Sequence, residues 1–113
     1  CLTDFVYRSK MADISLKEDR LVRTSTYYYE LLPQGIDKGI AVHRLADLLQ
    51  IPHEHICCIG DYYNDLEMLN SAAFSACVES SPDSIKSVVH VICPDVMNGS
   101  LAHFIQEIEN RLI

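Results

Sequence analysis

The chain has 113 residues, enough for one small domain with a core of its own. Its 49% hydrophobic content argues against disorder, and no apolar run approaches the length of a membrane span. A net charge of −7 disfavours non-specific binding to nucleic acid or anionic membranes, and the first residues do not read as a signal peptide.

The five cysteines are an odd number, and no C-x-x-C pair occurs among them. Cys57 and Cys58 sit in one apolar run and Cys77 in another, so they read as small core residues. Free thiols imply a reducing compartment, hence a cytoplasmic protein. The chain opens on Cys1, in mid-pattern and without an initiator Met, which reads as a piece of something longer.

Residues 1 to 20 are weakly patterned. Leu2, Phe5 and Val6 fit a short helix or strand, and Met11 to Leu16 fit helix or loop. Leu21 to Leu32 is rich in β-branched and aromatic residues and predicts one long strand or two short ones. Within it, Thr24-Ser25-Thr26 reads as exposed strand hydroxyls, and Tyr27-Tyr28-Tyr29 as packing and edge residues.

Pro33-Gln34-Gly35 breaks the pattern and marks the main architectural boundary. Asp37 is a good N-cap for a helix from Lys38 to about residue 50. Ala41, Leu45, Leu48 and Leu49 make its apolar face, flanked by Val42 and Ala46. Lys38 is oddly placed, because a cation in the first turn opposes the helix macrodipole. An anion bound there would account for it, and so would a solvated surface lysine. His53 and His55 read as exposed loop residues without a third metal ligand.

Ile56 to Ile59 is a short continuous apolar run stopped by Gly60, the pattern of a buried parallel strand. Ligands of open α/β sheets bind beyond the carboxyl ends of such strands, where Asp61, Asn64 and Asp65 follow. Paired carboxylates there suit a hard cation such as Mg²⁺. A plain strand-to-helix turn, with Asn64 or Asp65 as N-cap, is the other reading. Beyond it the pattern predicts a short helix from Leu66 to Ala73 and a strand from Phe74 to Val78. A helix with Pro82 in its first turn then runs to Val88 or Val89, a strand from Val89 to Ile92, and a helix from Gly99 to Ile113. The alternation from residue 38 onward argues for an α/β fold with a parallel sheet.

Two stretches together resemble the haloacid dehalogenase (HAD) superfamily of phosphatases, in its Cof-type branch. Glu30-Leu31-Leu32-Pro33-Gln34-Gly35-Ile36-Asp37-Lys38-Gly39 is similar to the family's return from cap to core, with its lysine. Gly60-Asp61-Tyr62-Tyr63-Asn64-Asp65 is similar to its acidic G-D-x-x-N-D motif. The match extends through Met68-Leu69 and Ser81 to Lys86 as far as Asn98-Gly99. P-type ATPases carry a comparable acidic motif, but they need membrane spans.

The resemblance implies a partial Rossmann-like parallel sheet with helices on both faces, residues 33–113 forming the second half of the core and residues 1–32 the end of an α/β cap. It implies a Mg²⁺-dependent phosphatase acting on a small phosphorylated metabolite through an aspartyl-phosphate. Asp61 would ligate Mg²⁺, Asn64 would lie near substrate, and Lys38 would neutralise the phosphoryl charge. Asp65 would support the site by orienting the loop or Lys38. The family's nucleophile and general acid lie in a D-x-D motif, and this chain has none. Ser80 stands where many relatives have Asn.

The chain by itself is therefore expected to be inactive and to lack a tight Mg²⁺ site. The strand carrying D-x-D normally lies beside the 56–60 strand. Its absence predicts self-association through an open edge, or pairing with an upstream half of the same protein. A non-catalytic α/β module that binds an anion or a protein is the alternative.

Overall fold

A computed structural model describes residues 19–25 and 27–112. The expectations for residues 1–18, including Cys1, and for Thr26 and Ile113 lie outside the described residues. Strand β1 (Asp19–Arg23) pairs antiparallel with β2 (Tyr29–Pro33), Arg23 opposite Tyr29 and Asp19 opposite Pro33. The β-prone stretch is thus two short strands rather than one long one. Thr24 and Ser25 fall in the connecting turn, where both backbone N–H groups donate to the Tyr28 carbonyl. Of the three tyrosines, Tyr29 is buried while Tyr27 and Tyr28 are exposed.

Gly35 turns the chain out of the hairpin at φ +77°, and Ile36 N–H closes that turn on Pro33 O at 3.3 Å. A left-handed residue at this place in a tight turn favours Gly. Helix α1 (Lys38–Leu48) follows, capped as its sequence predicts: Asp37 Oδ1 accepts from Ile40 N–H at 2.8 Å.

The remaining elements alternate: β3 (Cys57–Ile59), α2 (Leu66–Ser71), β4 (Phe74–Val78), α3 (Asp83–Lys86), β5 (Val91–Cys93) and α4 (Ser100–Leu112). The three strands form a parallel sheet in the order β3-β4-β5, with Cys58 opposite Ser75 and Cys77 opposite Ile92. This is the α/β architecture expected from the alternation.

Successive strand residues face opposite sides, so β4 feeds two cores. On one face Cys58 and Cys77 meet Ala46 of α1, Leu69 of α2 and Ile85 of α3. On the other, Phe74, Ala76 and Cys93 meet Phe104 of α4. Leu69 and Ile85 are almost wholly buried, each stabilising the fold by about 1.5–3 kcal/mol. The polar intruder Ser75 is satisfied, its N–H and hydroxyl both lying 3.0 Å from His90 Nδ1.

Four expectations need correction. The inward face of α1 is Gly39, Val42 and Ala46, whereas Leu45, Leu48 and Leu49 are exposed. The helix packs through its small residues, and its apolar arc runs on past the edge of the sheet. Cys57 is exposed: alternation puts it on the face opposite Cys58, beside Phe74, at a point on the outer strand that the second core leaves uncovered. Helix α3 is a single turn, since Ser87 O–H folds back on Ser84 O at 2.8 Å and the chain leaves for the sheet. His90 N–H already bonds Ser75 O at 3.0 Å, which starts β5 at Val91 rather than Val89.

Candidate active site

The chain beyond β3 stays attached to the sheet for one more residue, Gly60 N–H donating to Ala76 O at 3.1 Å. It then turns through a short helical segment, Tyr63–Asp65, directly into α2. That turn returns the carboxylate of Asp65 beneath the loop. A Cβ on Gly60 would lie 2.6 Å from the Asp65 Cβ and 2.7 Å from its Oδ2. Gly60 is therefore the space that Asp65 fills.

Asp65 is 4% exposed, and both its oxygens are in use. Oδ2 accepts from the N–H groups of Asp61 at 2.9 Å and Tyr62 at 3.3 Å. Oδ1 pairs with Lys38 Nζ at 2.5 Å. A buried carboxylate needs such compensation, and here three donors supply it. Asp65 is not the side-chain N-cap of α2, which its position alone allowed.

Lys38 reaches Asp65 because α1 comes very close to the start of α2. The cause is Gly39, where a Cβ would stand 2.9 Å from Glu67 O. The Lys38 side chain is about half exposed, so its ammonium faces both Asp65 and solvent.

Asp61 is exposed, and its carboxylate has no hydrogen bond or ion pair among the described residues. Asn64 is half-buried and opens into a cleft of about 250 Å³ beside the first turn of α1. Leu32, Ile36 and Ala41 give that cleft apolar walls, while Glu30, Asp37 and Lys38 give it charge. Asp61 is not part of its lining. A larger hollow of about 350 Å³ lies along α1 among His43, Arg44, Asp47 and Ser71, and none of the acidic-loop residues line it.

The donor set can be weighed against Mg²⁺, which takes carboxylate oxygens and keeps several waters. The Asp61 carboxylate fits as one ligand, since it is accessible and uncommitted. The Asp65 carboxylate is already occupied by Lys38 and two N–H groups. Among the described residues, no group of three or more His, Cys, Asp or Glu converges on a metal position. Among the described residues one carboxylate is free to fit a metal, and no closed site is formed.

The structure also brings in a residue that the sequence did not single out. The Arg23 guanidinium lies 5.8 Å from the ring centre of Tyr29 and 5.9 Å from that of Tyr62. Its Nε donates to Ser25 O at 3.2 Å. It ties the hairpin to the acidic loop through cation–π contacts. Nothing in the local pattern signals this, because Arg23 and Tyr62 are distant in the chain. His53 forms a local pair with Asp47 Oδ1 at 2.7 Å.

A haloacid dehalogenase-like hydrolase family model matches residues 6–105. The chain belongs to the haloacid dehalogenase-like hydrolases. Over 111 residues it is 30% identical to the 5-amino-6-(5-phospho-D-ribitylamino)uracil phosphatase of Bacillus subtilis, covering 96% of this chain and 39% of that protein. Over 70 residues it is 34% identical to the phosphoglycolate phosphatase of Thermoplasma volcanium, covering 62% of this chain and 31% of that protein. A solved structure of a haloacid dehalogenase-like hydrolase from B. subtilis aligns with a TM-score of 0.75 at 27% identity, over 88% of this chain and 33% of that one. The chain spans less than half the length of each of these relatives. No helix among the described residues is long and apolar enough to cross a membrane.

Proposed function

We propose that this chain supplies the lysine and the acidic loop of a Mg²⁺-dependent phosphatase acting on a small phosphorylated metabolite. The observation that carries this reading is the Lys38–Asp65 pair beneath the accessible, uncommitted Asp61. In this reading residues 1–32 end a cap and residues 33–113 form the second half of the core. The names of two relatives, phosphatases of a ribityl phosphate and of phosphoglycolate, support a small phosphorylated metabolite and no finer class. Free Cys57, Cys58, Cys77 and Cys93 support a cytoplasmic setting.

The chemistry follows from what each side chain is free to do. Lys38 places a positive charge where the phosphoryl oxygens would sit, and Asp65 keeps it there. The N–H groups of Asp61 and Tyr62 are fixed by Asp65, so the loop is organised before substrate arrives. Asn64 offers an amide to the phosphate or leaving group. Asp61 would hold Mg²⁺, which when bound offsets charge on the transferring group. The attacking carboxylate must come from outside this chain, because no D-x-D occurs in it and Asp65 is committed.

The test is hydrolysis of p-nitrophenyl phosphate with Mg²⁺ by the full-length gene product. Turnover should fall by several orders of magnitude in Asp61→Ala and strongly in Lys38→Ala, since charge stabilisation is a large catalytic term. The 113-residue chain alone should bind phosphate weakly and show no turnover. Mg²⁺-dependent hydrolysis by that chain, abolished in Asp61→Ala, would overturn this account of the nucleophile.

A further inference from the structure

We propose that Glu30 sets the substrate class of this site by turning away phosphate esters whose leaving group carries a second negative charge. The inference rests on the phosphatase reading, with the phosphoryl group held at Lys38.

Three observations carry it. First, Lys38 and Asn64 line the 250 Å³ cleft, so the part of a substrate beyond the phosphoryl group has that space beside it. The volume lies below the usual range for drug-sized ligands, which suits a compact leaving group. Second, Leu32, Ile36 and Ala41 form an apolar wall for a carbon skeleton. Third, the cleft presents an uncommitted carboxylate. Glu30 stands on the exposed face of β2, and its carboxylate has no hydrogen bond or ion pair among the described residues. Asp37 also lines the cleft, with its Oδ1 taken by Ile40 N–H. Among the described residues that line the cleft the one cation is Lys38, which is paired with Asp65.

A carboxylate or second phosphate entering this cleft meets Glu30, and the described lining residues offer no cation beyond Lys38. A hydroxyl or amine meets an acceptor. After screening at an exposed position, repulsion of this kind costs roughly five- to tenfold in affinity. The substrates in this reading are phosphomonoesters of neutral or amine-bearing alcohols, not bisphosphates and not phosphocarboxylates such as the phosphoglycolate for which one relative is named. Glu30 selects by repulsion rather than by a specific fit.

The experiment compares glycerol 3-phosphate with 3-phosphoglycerate, which differ only in a hydroxymethyl against a carboxylate. Full-length protein and its Glu30→Gln variant are assayed for kcat/KM on both. The wild type should prefer the neutral ester at least fivefold, and Glu30→Gln should shrink that preference about five- to tenfold through the KM for 3-phosphoglycerate. An unchanged preference in Glu30→Gln, or a wild-type preference for 3-phosphoglycerate, would overturn the proposal. Hydrolysis of p-nitrophenyl phosphate by the wild type judges the phosphatase reading separately. In a protein that turns over neither ester, calorimetric titration of both reads the same ratio. A shift in Glu30→Gln supports the proposal, and a constant ratio overturns it.

Discussion

Gly60 and Asp65 compete for one volume: a Cβ on the first would come within 2.6 Å of the Cβ of the second. The five-residue step from Gly60 to Asp65 returns the chain on itself, so that one carboxylate can reach the N–H groups behind it and Lys38 beyond. Gly60→Ala should therefore displace Asp65, with a loss of about 1–3 kcal/mol, the usual range for overpacking. Urea unfolding of the variant measures it, and wild-type stability would refute the close approach.

Lys38 and Asp65 should not be equivalent on mutation. Lys38→Ala removes one of three donors from a buried carboxylate, whereas Asp65→Ala leaves a cation that is half in solvent. Asp65→Ala also strips two backbone N–H groups of their acceptor. We expect Asp65→Ala to cost about 2–4 kcal/mol and Lys38→Ala about 1–2 kcal/mol. Equal losses in denaturant melts would contradict this asymmetry.

The thiols should separate by reactivity. Burial raises the pKa of Cys58, Cys77 and Cys93, and Cys58 is pushed further by its neighbour Cys57. The thiolate is the reactive form, so these groups combine low access with a small thiolate fraction. Cys57 is exposed. Limited alkylation near pH 8 followed by peptide mapping should label Cys57 well before the other three. Labelling of Cys77 at the rate of Cys57 in folded protein would contradict the assignment of faces.

The edge of the sheet should be adhesive. Among the described residues β3 pairs only with β4. Leu45 on α1, Leu49 just past its end and Leu112 on α4 stand exposed. An open strand edge beside apolar side chains recruits another chain. The isolated chain should self-associate in sedimentation runs, and Leu49→Glu should shift it towards monomer. A stable monomer at high concentration would exclude this surface as an interface.

Much of the site was legible in the sequence because its signals are local. Asp37 caps the helix three residues from Ile40, and an apolar run stopped by Gly60 marks a strand end whatever surrounds it. Cys57, Leu45, Leu48 and Leu49 were misjudged for the opposite reason. Their burial depends on whether another element covers them, and no pattern inside a helix or a strand contains that information.

The sequence by itself determined the order of elements and the break at Pro33-Gln34-Gly35, and it offered Lys38, Asp61, Asn64 and Asp65 as candidates, because periodicity, capping and motif spacing act over a few positions. Tertiary structure decided which carboxylate is committed and which is available. Asp61 and Asp65 are the same residue type four positions apart. Only the close approach of α1 to α2 at Gly39, and the missing side chain of Gly60, bury Asp65 against Lys38 and leave Asp61 in solvent. Glu30 and Arg23 likewise acquired their places beside the site only when the hairpin packed against the core. A contact across the chain is set by packing geometry, which local sequence does not encode.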